Sequence, residues 1–295
     1  MLFDESNAAY HRTQAISLSK LWQYHESPRK YRFGTREETD AMRLGTAFHA
    51  CVLEPDEWAK YEDEPELSFR SKADKEQAAR VLNSLCIDPF LPETVDKIGT
   101  MSKNDILSAF AMKERKPTIT QANRDMLEGM KKALQSRDDI TPLLFGDGFS
   151  EVVYRTGMST FGFPLQCRTD RLAFAEGKPC IVDVKTIDSL GNIEKSMTQR
   201  GYYRAPSFYR SVIRTVTGYD EPIPFYFVFV EKGDDPACSL QEVFPDHQTL
   251  AMKEINDDLH RLAQSIEKDD WRDEAEKGKR TYFLPGWMLH RLENL

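Results

Sequence analysis

The stretch Pro179-Cys180-Ile181-Val182-Asp183-Val184-Lys185-Thr186 constrains this chain more than any other. A short run dense in Ile and Val reads as a buried strand. Side chains alternate across a strand, so Asp183 and Lys185 emerge together on one face near its C-terminal end. Charged groups at the end of a core strand are costly unless something pairs with them. The D/E-x-K spacing also occurs at Glu114/Lys116 and Glu176/Lys178, but those pairs fall in polar, turn-like sequence.

The neighbouring sequence supplies partners for this strand. Residues 151–154 and 165–174 carry strand signals, 176–178 supply a turn, and 180–187 return, which predicts an antiparallel meander. A helix follows through 207–214, then an aromatic-rich strand over 224–230. Upstream the signals are helical. Ser17 opens an amphipathic helix, and Ser27-Pro28 reads as an N-cap with Pro at N1. Asp40 is placed to cap a helix over 41–53 that is apolar nearly all round and therefore expected to be buried. Thr120 caps a helix over 121–136, residues 60–116 look polar and broken, and 246–268 form a long amphipathic helix. The expected fold is an α/β (α+β) core with a helical N-terminal elaboration. It is one domain over 1–295, divided into a mainly helical part (1–145), a sheet core (146–235) and a C-terminal helical part (236–295).

Bulk properties narrow the class. No run of about 18 apolar residues is present, and the start lacks a basic and apolar leader, so a cytoplasmic location without a membrane is expected. The five cysteines show no zinc spacing and read as reduced core residues. A net charge of -8 counts against a nucleic-acid partner unless positive charge is locally concentrated.

Asp170 lies on the predicted partner strand of the one bearing Asp183. Two carboxylates so close repel unless one is protonated or a cation sits between them. Hard oxygen ligands suit Mg²⁺. Asp170 and Asp183, with the carbonyl of Val184, would hold it against a phosphate, and Lys185 would orient or deprotonate the attacking water or neutralise the oxyanion. Glu151 is a further acidic ligand or an outer-shell base. The competing reading is a buried Asp183–Lys185 pair with Asp170 paired to Arg168 or Arg171. His49 reads either as a hydrogen-bonded core histidine or, with Gly45 leaving room on its face, as a metal ligand. Arg200, Arg204, Arg210 and Arg214 fall on one arc if their helix is continuous, which makes a phosphate-binding rail; if Pro206 starts or kinks the helix, the stripe is broken. Arg168 is grouped with them as a DNA contact.

Four segments in order, GTAFH (45–49), CRTDRLAF (167–174), IVDVKT (181–186) and YYRAPSFY (202–209), resemble the motifs of the PD-(D/E)xK nuclease superfamily. The likeness is greatest to the C-terminal nuclease domain of the exodeoxyribonuclease VIII (RecE) family. SLSKLWQYHESPRKYRF, LEPDEW and LPGWM (284–288) resemble features in the same positions, so the likeness covers almost the whole chain. It implies a restriction-endonuclease-like core with a central mixed sheet flanked by helices. It also implies an ATP-independent exonuclease using Mg²⁺, with Mn²⁺ as substitute, that degrades linear double-stranded DNA 5′ to 3′. The family leaves 3′ single strands for a RecT-like annealing protein in phage and prophage recombination, and forms a ring, tetrameric or trimeric. By the same likeness His49, Asp170 and Asp183 match metal positions and Lys185 the catalytic lysine, with Glu151 a looser match. Ala205-Pro206 departs from the pattern, which usually has Gln four residues before the Tyr matching Tyr209. The alternatives are a structure- or site-selective endonuclease and a DNA-binding assembly subunit with a vestigial site.

Overall fold

Alternating apolar and polar residues from 148 to 187 are enough for three strands joined by tight turns, and all three form. The computed structural model describes residues 2–3, 7–35, 39–175, 177–243, 245–278 and 288. Its main sheet contains β1 (Leu2–Phe3), β2 (Gly148–Met158), β3 (Pro164–Ala175), β4 (Lys178–Ile187), β5 (Phe225–Glu231) and β6 (Cys238–Glu242). They lie side by side in chain order, and every neighbouring pair is antiparallel except β4 and β5, which run parallel. A parallel pair needs a crossover. Here the helices at Ile193–Gln199 and Ala205–Thr217 provide it.

Residues Cys180, Ile181, Val182, Asp183 and Val184 of β4 are all buried, as befits a strand covered on both faces. Ile181, Phe225, Phe227 and Phe229 join one core cluster with Phe208, Ile255 and Leu259. Cys180, Val182, Val184, Val228 and Val230 join the other, with Phe48, Leu127 and Met130. The helices that carry these contacts are α1 (Leu18–Glu26), α2 (Asp40–Leu53), α3 (Gln121–Gln135), α4 (Ala205–Thr217) and α5 (Pro245–Lys268).

Several start signals act as the sequence implies. Ser17 accepts from the Lys20 amide and Ser27 from the Lys30 amide with Pro28 at N1, while Thr120 accepts from the Asn123 amide. In α2 the cap is Thr39, and Asp40 is the first helical residue. Only the second half of α2 is buried; Ala41, Met42 and Arg43 face solvent. The segment 60–116 is more ordered than its polarity suggests. Helices Lys72–Ser84, Pro92–Gly99 and Lys103–Ala111 enclose a small core of Ala79, Leu82, Val95, Ile98, Ile106 and Phe110. The sheet also runs past residue 235, because β6 pairs with β5. The five cysteines are free and all but Cys238 are buried. No helix among the described residues is long and apolar enough to cross a membrane. Glu176 and residues 284–287 of the LPGWM segment lie outside the described residues.

The rail predicted on 200–214 does not form as a single stripe. Gly201 adopts a left-handed conformation (φ 65) between the helix ending at Gln199 and the 3-10 turn at Tyr202–Arg204. A Cβ there would meet the ring of Trp22 at 2.4 Å, so close packing as well as φ calls for glycine. Pro206 lies in the first turn of α4, where proline is tolerated, and so it marks the helix start.

Candidate active site

The register of three adjacent strands sets out the acidic residues. Ser150 pairs with Arg171 and Val152 with Thr169, so Glu151 stands opposite Asp170. Arg171 pairs with Val182 as the last rung between β3 and β4, so Asp170 stands opposite Asp183 one step further on. Glu151, Asp170 and Asp183 thus form a row across β2, β3 and β4. Past that last rung the Val184 amide donates to Asp170 Oδ2 at 2.8 Å, a side chain standing in for the missing backbone acceptor.

Glu151 has φ 54, a left-handed value that a side chain adopts at a cost of order 1–3 kcal/mol. The surroundings hold it there. Arg168 Nε lies 2.6 Å from its Oε2, and His49 Nδ1 lies 3.3 Å from its Oε1. Arg168, read from sequence as a DNA contact or a partner for Asp170, is therefore engaged with Glu151, and its guanidinium lies over the Tyr10 ring at 5.1 Å.

His49 comes from the far side of the chain on α2. Its Nε2 lies 3.1 Å from the Val184 carbonyl oxygen and 3.7 Å from Asp170 Oδ2. Burial acts to lower its pKa, but the Asp170 charge and the Glu151 hydrogen bond outweigh it and push the imidazole up to about 9. Lys185 touches Asp183 Oδ1 and lies 3.6 Å from Asp170 Oδ2, with Tyr202 beneath its ammonium at 5.5 Å. Burial opposes its charge, yet the two carboxylates hold its pKa well above the ordinary lysine range. A lysine so held keeps its proton, which favours orientation and charge neutralisation over proton abstraction. Burial lifts the Asp183 carboxyl to about 6 against the opposing pull of Lys185. Asp170 is equally buried, but Lys185 and His49, with the Val184 amide, keep it below its usual value.

His49, Glu151 and Asp170 each offer a ligand atom within 4.8 Å of the others. The Val184 carbonyl joins His49 and Asp170, while Glu151 Oε2 and Asp183 Oδ1 are buried carboxylate oxygens held by the cations of Arg168 and Lys185. Carboxylates, a carbonyl and one imidazole facing one small volume suit a divalent cation. Asp183, placed in sequence beside Asp170 as a ligand, is not within the three-residue cluster and here turns to Lys185. The buried Asp183–Lys185 pair of the competing reading is present, but Asp170 pairs with neither Arg168 nor Arg171; it faces Lys185 and His49.

The arginines meet different fates. Arg204 is wholly buried, 2.6 Å from Asp258 Oδ2, and lies over the Trp22 ring at 5.5 Å. It has no surface to offer a phosphate, because the 3-10 turn aims it at α5. Arg210 is half-buried and donates to the Ile223 carbonyl. Arg200 is exposed, and Arg214 is exposed beside an equally exposed Asp220. Two groups escaped sequence reasoning. Tyr202 beneath Lys185 lies in the YYRAPSFY segment without a charge pattern to single it out. Tyr209 is half-buried against the core, and burial, with Asp183 nearby, raises its hydroxyl well above the ordinary value. Ala205, at the departure from the family pattern, is buried in the core beside Phe208.

No curated protein matches the chain in sequence. Among solved structures, the crystal structure of a protein described as "Putative exonuclease" from Eubacterium rectale superposes with a TM-score of 0.57 at 13% identity. The match covers 99% of this chain and 100% of that one, and shows a shared fold. The mixed sheet flanked by helices agrees with the PDDEXK-like description of the family whose model matches the chain. A family model extends over residues 17–281, nearly the whole chain and all of the acidic row, so the protein belongs to the family described as a PDDEXK-like domain of unknown function (DUF3799).

Proposed function

We propose that this protein is a metal-dependent exodeoxyribonuclease that degrades linear double-stranded DNA from 5′ to 3′, with Mg²⁺ as the natural ion and Mn²⁺ as substitute. The observation that carries the reading is the row Glu151–Asp170–Asp183 across three strands, closed at one end by Lys185 and overlooked by His49. An isolated ion pair needs no imidazole or backbone carbonyl, whereas here His49 and the Val184 carbonyl meet the carboxylates of Glu151 and Asp170 in one small volume.

In this reading Asp170, His49 and the Val184 carbonyl would hold the ion, with Asp183 as a further carboxylate beside them, and Lys185 would face the substrate. The ion, when bound, supplies a nucleophilic water at neutral pH and charge stabilisation at the phosphoryl group. Lys185 arrives with its proton, so it positions the water or neutralises the oxyanion. Glu151 orients His49 through Nδ1, leaving Nε2 for the ion, a common arrangement for ligating imidazoles. Arg168 and Tyr10 fix Glu151 in turn. Arg200 and Arg214 are the exposed cations of the broken rail that remain able to meet a phosphate backbone. A ring-shaped homo-oligomer, tetrameric or trimeric, and delivery of the 3′ strand to a RecT-like annealing protein complete the proposal.

The test is a time course on linear duplex labelled at the 5′ or the 3′ end, with Mg²⁺ and without ATP. Early release of the 5′ label with slow loss of the 3′ label is expected. Rapid nicking of closed circles with no preference for ends would instead identify an endonuclease, and intact linear duplex despite binding would identify an assembly subunit.

A further inference from the structure

Behind α2, away from the acidic row, lies a cleft of about 960 Å³ between that helix and the 60–120 segment. On α2, Asp40, Arg43, Leu44, Thr46 and Ala47 line it, and at 100° per residue all but Thr46 fall on the arc opposite His49. The cleft is therefore distinct from the candidate active site, though the two share a helix. Its volume lies at the upper end of the range of about 300–1,000 Å³ usual for small-molecule sites.

The lining is divided in chemistry. Leu44, Leu82, Leu85 and Ile119 contribute apolar surface, and Tyr61 adds a ring that packs on Trp58 with centroids 5.2 Å apart. The charged lining is Arg43, Lys113, Arg115 and Lys116 against only Asp40 and Glu64, in a chain whose net charge is -8. Three of these cations are held by exposed carboxylates: Arg43 by Asp40, Lys113 by Asp88 and Lys116 by Glu62. Exposed pairs such as Arg43–Asp40 and Lys116–Glu62 contribute about 0–1 kcal/mol and yield readily to a phosphate. Lys113, in contrast, is half-buried and also held by the Asp88 carbonyl and the Phe90 ring. Arg115 is exposed and makes no ion pair among the described residues. Thr120 and Asn123 bring the N-terminal end of the 15-residue helix α3 to the same cleft, which adds to its preference for anions.

An apolar and aromatic floor under a cationic rim fits a flat apolar body joined to a phosphate. We infer that the cleft binds a nucleoside monophosphate, either free or as the terminal residue of a single strand. The inference rests on the nuclease reading, since exonucleolytic hydrolysis of DNA releases nucleoside monophosphates and exposes single strand.

Binding is measured by calorimetry in EDTA, where no cleavage occurs, with deoxyadenosine monophosphate, a 5′-phosphorylated single-stranded hexanucleotide and inorganic phosphate as probes. The nucleotide should bind more tightly than phosphate. The double variant Arg115→Glu/Lys116→Glu should weaken it by about tenfold or more. Thr118→Trp, at an exposed position on the cleft wall, should block it without altering the charge. A hexanucleotide bound more tightly than the mononucleotide identifies the strand end as the ligand; equal affinity identifies the free product. No nucleotide binding, or binding indifferent to both cleft variants, overturns the inference even if linear duplex is digested with Mg²⁺. Cleft-dependent binding without digestion overturns the nuclease reading alone.

Discussion

The backbone amide of Val184 donates to Asp170 Oδ2 at 2.8 Å where β3 and β4 cease to pair. The same residue's carbonyl faces His49, so one peptide unit ties a carboxylate on its amide side to an imidazole on its carbonyl side. Replacing Asp170 by Ala removes a candidate metal ligand and strands a buried amide. It should destabilise the protein by about 1–3 kcal/mol in EDTA and abolish the heat of Mn²⁺ binding. Asp170→Asn keeps an acceptor for the amide, so it should lose the metal while retaining most of the stability, as urea titrations of the two variants will show.

Lys185→Ala should reduce cleavage of linear duplex by at least about a hundredfold, the usual cost of removing a charge-stabilising donor. It also leaves Asp170 and Asp183 buried without their shared cation, which costs about 3–5 kcal/mol by precedent for broken buried pairs. Mn²⁺ should restore much of that stability but none of the turnover. Thermal melts with and without metal, beside a single-turnover assay, separate the two effects.

Acid and base should act in opposite senses with and without metal. In EDTA the His49 pKa of about 9 lies above the ordinary 6.5 of an unfolded chain. Its contribution to stability is therefore complete below pH 6.5 and is lost as the pH rises through 9. Metal demands the neutral imidazole, so Mn²⁺ affinity should rise over the same interval. A melting series from pH 6 to 10 shows the first trend and calorimetry the second, and His49→Gln should flatten both.

Arg204→Ala and Arg214→Glu should part company. Arg204 is wholly buried against Asp258, so its loss should cost about 3–5 kcal/mol and leave the salt dependence of DNA binding unaltered once folding is restored by low temperature. Arg214 is exposed, so reversing its charge should spare stability and flatten the dependence of binding on salt.

Much of this arrangement is legible where a local rule decides the outcome. The Ser27-Pro28 and Thr120 starts follow from capping, and the 165–187 hairpin follows from alternation around a turn. Asp170 and Asp183 meet because their strands are joined by so few residues. Where non-local packing decides, the sequence is silent. The helices within 60–116 bury only one side each, so their polar faces dominate the pattern, although Ser71 with Asp74 and Ser102 with Asp105 do mark two starts. The strand Cys238–Glu242 is short and partly exposed at the sheet edge, which leaves little alternation to detect. The arginine stripe fails because one glycine meets Trp22, a contact between residues almost 180 positions apart. The left-handed Glu151 leaves no trace in its neighbours' types, since Arg168 and His49 impose it from outside the strand.

The acidic row lies within a single meander, whereas the His49–Glu151 contact spans 102 residues of chain. The carboxylates can therefore come together early, through short-range pairing, while the imidazole arrives only when α2 docks on the finished sheet. A chain still emerging or partly unfolded presents acids and lysine but an incomplete centre. Topology alone thus makes completion of the fold a condition for a complete centre, a built-in delay between the pairing of the strands and the arrival of the imidazole.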